Sequence, residues 1–508
     1  MRILTVLLWC AASLAGAVLK AGLAKVDITP RGPIWMSGYA ARTHPSEGVL
    51  NRLCAKALAI ESSSGGRIVI VSTDLIGIPR DLSDEIAAKL KKQFGLNRSQ
   101  LLINASHTHT GPIVWPNLRN LAVLPAGEQE KLIDYRNVLA NALVSVAGSA
   151  LKDLSPATME FGEGAAGFAI NRRAAINPNG PVDHRVPVLR IADTSGRIRG
   201  IVFGYACHNT TLTGKFYQLS GDYAEFAAEA IEQRHPGATA LFLTLCGADQ
   251  NPNPRSTLDL ARQHGDTLAV AVEKAMEARM TPVSGPVRTA FRLAELRFAP
   301  RSRQDFEAER NSKVPAQVRR GEIMIKTLDS GKKVDRLDYP LQAVRFGNTL
   351  TVLALGGEVT VDYGLRARRE YSGEPLITAG YSNDVMCYIP SARVLREGGY
   401  ESVDSMFYYA QAGPFADDVE QRIFAAIRDV ARHAALSRRI ANEIHDVFGD
   451  LGIDLLNLVQ HQAAVMALVA HRLQAVGGGI PGLHEAADAA AAPDAPGGPL
   501  YSGFPEGS

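Results

Sequence analysis

Short runs that are apolar at nearly every residue recur between longer segments of helical periodicity, and this alternation limits the fold more than any other property of the chain. "RIVIVSTDL", "QLLINASHTH", "RGIVFGYACH", "TALFLTLCG" and "LQAVRFGNTLTVLALGGE" read as strands whose cores lack a polar face. Strands covered on both sides of a sheet have this pattern, because neither face meets water. Between them lie "LSDEIAAKLKKQF", "YRNVLANALVSVAGSAL", "YAEFAAEAIEQR" and "LARQHGDTLAVAVEKAMEA", whose apolar residues fall on one side of a helix. The alternation predicts an α/β fold, a layered mixed sheet with flanking helices.

At 508 residues the chain is long enough for one large catalytic domain with an appendage. The first 17 residues read as a secretory signal peptide, with Arg2, an apolar stretch, and small residues at Ala15 and Ala17, so a secreted or periplasmic location is expected. The main domain is expected over 21–435, and its charged stretch 302–338 reads as a solvated helix and turn. Residues 436–475 read as a helical extension and 476–508 as a disordered, low-complexity tail. No later segment reads as a membrane span; the most apolar, "LGIDLLNLVQHQAAVMALVA", carries Asp454, Gln460, His461 and Gln462.

Lys and Arg number 54 against 52 Asp and Glu, a net charge of +2, and no dense basic tract is present, which argues against a nucleic-acid partner. Past the signal, Cys54, Cys207, Cys246 and Cys387 are scattered without a C-x-x-C pair and read as buried free thiols.

Chemistry-bearing residues gather where strands end. His107 and His109 follow "LLINAS", His208 follows "IVFGYAC", Asp249 follows "LFLTLCGA" and Glu358 follows "TVLALGG". In α/β sheets, ligands bind beyond the carboxyl ends of strands, where residues distant in sequence converge. If the backbone stays extended, His107 and His109 leave the strand on one face. Two histidines and a carboxylate suit zinc, which accepts imidazole nitrogen and carboxylate oxygen and in catalytic sites keeps a position for water. Read alone, each histidine better suits the satisfying of backbone groups at a strand end; the metal reading comes from the joint pattern.

"AGLAKVDITP", "SGYAARTHPSEGV", "SHTHTGP", "INRR", "ACHNTT", "SGDYAEFAAEAIE", "GGEVT" and "YSNDVMCYIP" occur in an order that resembles the neutral/alkaline non-lysosomal ceramidase family, N-terminal catalytic domain, over about 21–427. The resemblance implies a mixed α/β fold with catalytic Zn2+ and hydrolysis of the amide of N-acylsphingosine. Carried over by position, it implies His107, His208, Glu358 and Tyr388 as metal ligands. It also implies His109 and Tyr400 as groups that polarise the carbonyl, and Arg172 as a residue near the substrate. Each has a structural alternative: Tyr388 as a half-buried tyrosine, Glu358 as a helix N-cap, and Arg172 as a partner of Asp183. For Asp222, helix capping is the expectation.

Three departures from the family pattern stand out. Where the family has a G-D-x-S-P segment, "GADQNPNP" places Asn251 at the serine, and an amide cannot serve as a nucleophile. A helix and tail are expected where the family has a C-terminal β-sandwich. Cys387 lies in a stretch that is usually glycine-rich. The expected function is a secreted zinc hydrolase in which zinc-bound hydroxide attacks an amide or ester of a small-molecule or ceramide-like lipid substrate, with peripheral membrane contact. The alternatives are a non-catalytic ligand-binding member of the family and a zinc hydrolase acting on a cell-wall or polysaccharide derivative. "NAS" at Asn104 is a glycosylation sequon beside the proposed ligands, where a glycan would be hard to place.

Overall fold

The computed structural model describes residues 19–449, with side chains to 434; the expected signal peptide, the tail and most of the helical extension lie outside the described residues. Residues up to Ala435 form one compact unit, and a second begins at Leu436.

The larger unit is built on a mixed sheet of β1 (Leu19–Asp27), β2 (Cys54–Glu61), β3 (Arg67–Thr73), β4 (Leu101–Ala105), β5 (Ser155–Ala165), β6 (Arg185–Asp193), β7 (Ile198–Tyr205), β8 (Thr239–Thr244) and the short β9 (Thr281–Val283). Its order is β8-β7-β6-β5-β1-β2-β3-β4, with β9 paired to β5. The outermost pairs, β8 with β7 and β4 with β3, are parallel, while the interior is antiparallel. A second sheet is formed by β10 (Val287–Arg297), β11 (Arg336–Phe346), β12 (Leu350–Leu355) and β13 (Leu376–Ala379).

Alternation along the strands assigns side chains to layers, since successive residues face opposite sides. On β2, Ala55, Ala57 and Ala59 face a cluster shared with helices α1 (Arg80–Phe94) and α2 (Glu128–Lys152), whereas Leu58 and Ile60 face the space between the sheets. On β7, Phe203 and Tyr205 meet helices α3 (Asp222–Arg234) and α4 (Leu258–Glu277), while Val202 points between the sheets. On β12, Val352 and Ala354 close the inter-sheet layer, and Leu353 and Leu355 pack beneath the remaining helices. The expected layered α/β architecture is the one observed. These strands lack polar faces because both sides are covered.

The charged stretch 302–338 differs from the expectation. It holds two helices, α5 (Arg303–Glu309) and α6 (Pro315–Asp329), and their inner side is buried: Phe306, Met324 and Ile325 join the core. Charge density hid this face because Arg320 is itself buried and paired with Glu309.

The large sheet curls until its two edges meet. Asn104 on edge strand β4 accepts from Thr244 N on edge strand β8 at 2.9 Å and donates to Thr244 O at 3.3 Å. The same amide nitrogen donates to Gly380 O at 2.7 Å and to Ser382 Oγ at 3.1 Å, in the chain leaving β13. Ser72 of β3 adds a bond to the Phe242 carbonyl of β8. Asn104 is fully buried, so its sequon is closed to glycosylation in the folded chain. Asn104→Asp, nearly isosteric, turns a donor into an acceptor facing two carbonyl oxygens. It is expected to lower the unfolding free energy in urea by about 3 kcal/mol or more; a loss under about 1 kcal/mol would contradict the closure role.

Candidate functional site

Closing the large sheet brings together the carboxyl ends of β4, β7 and β8, and the bonds of Asn104 to Gly380 and Ser382 tie the second sheet, with the end of β12, beside them. Strand β4 stops at Ala105, and His107 takes a left-handed conformation, φ 61°. The extended geometry expected for His107 and His109 is therefore not what joins them: the turn, fixed by His107 N donating to Leu75 O at 2.9 Å, brings the rings to 4.8 Å at 81°. His208 follows β7, with its backbone N bonded to Gln250 O at 3.0 Å. Glu358 begins a two-residue strand paired in parallel with Tyr388–Ile389, and the register sets Glu358 opposite Tyr388. Glu358 is thus not the cap of the following helix α7 (Val361–Glu370), which begins after Thr360.

The ring tautomers follow from backbone partners. His107 Nδ1 lies 2.6 Å from Ile76 O and His208 Nδ1 lies 3.1 Å from Gly247 O. Carbonyls only accept, so both Nδ1 atoms carry the proton and both Nε2 atoms present lone pairs. Those two Nε2 atoms each lie 3.1 Å from Glu358 Oε2. Tyr388 OH is 3.2 Å from His208 Nε2, and His109 Nε2 is 3.1 Å from His107 Nε2. Lone pairs of two imidazoles and a carboxylate facing one another repel unless a cation or proton lies among them, so this donor set fits a divalent metal. The nitrogens of His107, His109 and His208 lie within 4.8 Å of one another, as metal-holding groups do.

The electrostatics favour the protonation states that bind a cation. Burial pulls His208 down to about 4, assisted by Arg172. Burial, with His107 and His208, holds His109 well below the usual imidazole range. Burial alone would raise Glu358, but His107 and His208 outweigh it and hold the carboxyl well below its usual range. His208 and His109 thus resist protonation beside an ionised Glu358 carboxylate. A second buried group, Cys54, Asp74 and Glu225, is also compact enough for a metal. There, however, the Lys56 ammonium already sits 3.1 Å from Glu225 Oε2.

Arg172 does not pair with Asp183, which binds Arg185 instead. Its Nε donates to Glu401 Oε1 at 2.7 Å and its Nη2 to Tyr388 OH at 3.1 Å. Tyr388 is buried rather than half-buried, and Tyr400 is 41% exposed, its ring 5.5 Å from that of Tyr388. Asp222 is the first residue of α3 rather than the residue before it, and its carboxylate accepts from Leu212 N at 2.8 Å and Tyr223 N at 2.6 Å. All four cysteines are buried and free; Cys387 is pushed well up by burial, which disfavours the thiolate a metal needs. Asn251 sits on a short strand paired with Ile170, beside the turn carrying Arg172.

Three neighbours were not legible in the sequence. Tyr409 OH donates to Glu358 Oε1 at 2.5 Å, occupying the oxygen that faces away from the histidines. Glu401 bridges Arg172 and Arg173. Tyr381 lays its ring 4.5 Å from that of His107. Nothing in "FYYAQAG" separates Tyr409 from the adjacent Tyr408. Glu401, directly after Tyr400, could have been sought as the counter-ion that "INRR" requires.

Residues 19–282 match the family described as neutral/alkaline non-lysosomal ceramidase, N-terminal. Among curated proteins, the chain is 29% identical over 250 residues to a neutral ceramidase of Pseudomonas aeruginosa, an alignment covering 46% of this chain and 37% of that one. It is 27% identical over 253 residues to neutral ceramidase A of Dictyostelium discoideum, covering 45% and 35%. With a neutral ceramidase of Mycobacterium tuberculosis the identity is 23% over 483 residues, covering 77% and 74%. The first two of these alignments thus span only about a third of those relatives' own lengths. The crystal structure of neutral ceramidase from P. aeruginosa has a similar fold, with a TM-score of 0.66 at 23% identity over 83% of this chain and 75% of that one. The family match covers more than half of the sequence, and the chain belongs to the neutral/alkaline non-lysosomal ceramidase family.

Proposed function

We propose that the chain is a zinc-dependent hydrolase of the ceramidase type, secreted or periplasmic, that cleaves the amide of N-acylsphingosine or a related amide or ester. One observation carries the reading: His107 Nε2 and His208 Nε2 converge on Glu358 Oε2, each at 3.1 Å. His107, His208, Glu358 and Tyr388 would hold the metal. Zinc in such a site lowers the pKa of its water toward neutrality and polarises a carbonyl.

The chain's own residues divide the remaining work. Ile76 O and Gly247 O lock the two ligand imidazoles in the tautomer that leaves Nε2 open. Tyr409 satisfies Glu358 Oε1 and leaves Oε2 for the cation. Arg172 orients the Tyr388 hydroxyl, and Glu401 neutralises Arg172. His109 differs from the other two histidines, because its buried Nδ1 has no hydrogen-bond partner. Its Nε2 is tied to no backbone carbonyl and faces the cluster, which suits proton transfer, here to the leaving amine, while Nδ1 packs against Gly38. Tyr400, partly exposed beside Tyr388 and Arg172, would donate to the substrate carbonyl as its oxygen gains charge. The amide substrate is supported by the relatives named neutral ceramidase and by family membership.

Asn251 in place of a serine favours a second reading, a member that binds ligand without turning it over. Zinc content and release of fatty acid from a fluorescent short-chain ceramide, with and without chelator, separate the two. Full metal occupancy with no turnover on amides or esters selects the binder, and turnover that survives complete zinc removal excludes the proposed mechanism.

His107→Ala and His208→Ala are each expected to abolish stoichiometric zinc. His109→Ala should keep zinc and slow hydrolysis by about 10²- to 10⁴-fold; equal zinc loss in all three would contradict the division. Tyr409→Phe should weaken zinc affinity by about 10- to 100-fold in a chelator competition. Unchanged affinity would remove Tyr409 from the support of Glu358.

A further inference from the structure

The sequence "SGYAAR", residues 37–42, recurs in no step above, yet it surrounds His109. Arg42 is buried, 4% exposed, and it faces carbonyls and rings where a buried guanidinium would ordinarily face a carboxylate. Its Nη1 donates to the carbonyl of Ser37 and, at 2.8 Å, to that of His109; Nη2 donates to Phe216 O at 3.3 Å. Its Cζ lies 5.0 Å from the centre of the Tyr39 ring and 5.8 Å from that of Tyr217. Burial pulls its pKa down to about 10, so the group stays charged at neutral pH. An uncompensated buried cation is costly to the fold, and here its planar fork joins segments 37–42, 109 and 216.

The same segment shapes the ring. Gly38 has φ +87°, and a Cβ there would lie 2.4 Å from both Cγ and Nδ1 of His109. Tyr39 meets the imidazole at 5.0 Å and 62°, edge to face. Tyr39 is itself anchored through its hydroxyl to Leu212 O at 3.2 Å. Ser37 N bonds to Gly111 O at 3.0 Å, tying the segment to the strand end that carries the histidine. Because His109 Nδ1 has no hydrogen-bond partner, its direction is set by these contacts and by His107.

We propose that residues 37–42 form a clamp that aims the His109 imidazole, with Arg42 as a positioning residue that holds the His109 backbone while Gly38 and Tyr39 hold its ring. The inference rests on the role given to His109 above. It explains why a buried arginine without a counter-ion is built in: its donors stand on separate nitrogens of a rigid plane and reach the carbonyls of Ser37, His109 and Phe216, whereas the three donors of a lysine ammonium all radiate from one atom.

The test uses the full chain labelled with 15N-histidine and loaded with zinc, comparing Arg42→Lys, Gly38→Ala and Tyr39→Leu with the unaltered protein. Ring resonances of His109, identified by their loss in His109→Ala, should shift in all three variants, and zinc should remain at one equivalent. Hydrolysis of the fluorescent ceramide should show kcat lower by about 10- to 100-fold and KM within about 3-fold. A purely structural role would lower the thermal midpoint but leave the ring resonances, and kcat per zinc-loaded molecule, unchanged. That result, or zinc loss parallel to the rate loss, would overturn the proposal. Should Arg42→Lys fail to fold, Gly38→Ala and Tyr39→Leu decide the matter through the ring resonances. Those resonances need no substrate, so a protein that hydrolyses nothing still tests the clamp, whereas normal turnover by His109→Ala defeats the catalytic role and not the clamp's geometry.

Discussion

The site depends on a sheet that bends far enough for its edges to touch, and the side chain of Asn104 holds them there. An edge strand exposes unpaired backbone groups, which are costly when buried. One amide side chain supplies what a missing strand would: it accepts from Thr244 N and donates to the carbonyls of Thr244 on β8 and of Gly380 just beyond β13. Without that closure, the ends of β4 and β7 would belong to opposite regions of a sheet eight strands across. With it, His107 and His208 lie with their rings 4.8 Å apart.

Convergence of lone pairs is then imposed from outside the cluster. The His107 and His208 imidazoles each have one nitrogen committed to a backbone carbonyl, so neither can turn its N–H toward Glu358 without breaking a buried bond. Burial opposes protonation of His208 and His109, while Glu358 remains ionised. The fold therefore maintains a group of acceptors whose mutual repulsion a divalent cation would relieve. Residues farther out complete the arrangement: Tyr409 on the second carboxylate oxygen, and Glu401 beneath the two arginines.

The three histidines illustrate two ways of fixing a ring. Hydrogen bonds fix His107 and His208, as suits groups that must hold one tautomer. His109 is held by shape, between a glycine with no room for a side chain and the edge of a tyrosine. Packing fixes direction without committing a nitrogen. That distinction matches the different work proposed for His109, and it gives "SGYAAR" a use that its position, about 70 residues before the histidine, does not suggest.

The sequence by itself determined the layered α/β architecture, because burial on both faces leaves its mark residue by residue along each strand. It also placed His107, His208 and Glu358 at strand ends, and the ordered motifs pointed to the family. Local pattern could not supply the left-handed turn at His107, the hidden inner face of 302–338, or the identity of Tyr409 among three nearby tyrosines. Those were decided by tertiary structure, since they depend on partners far along the chain: Asn104 on Thr244, 140 residues away, and Arg172 on Glu401, 229 residues away. Periodicity reports which side of an element meets the core; which elements then meet each other is set by sheet closure and by the pairing of buried polar groups, and neither leaves a trace within a short window of sequence.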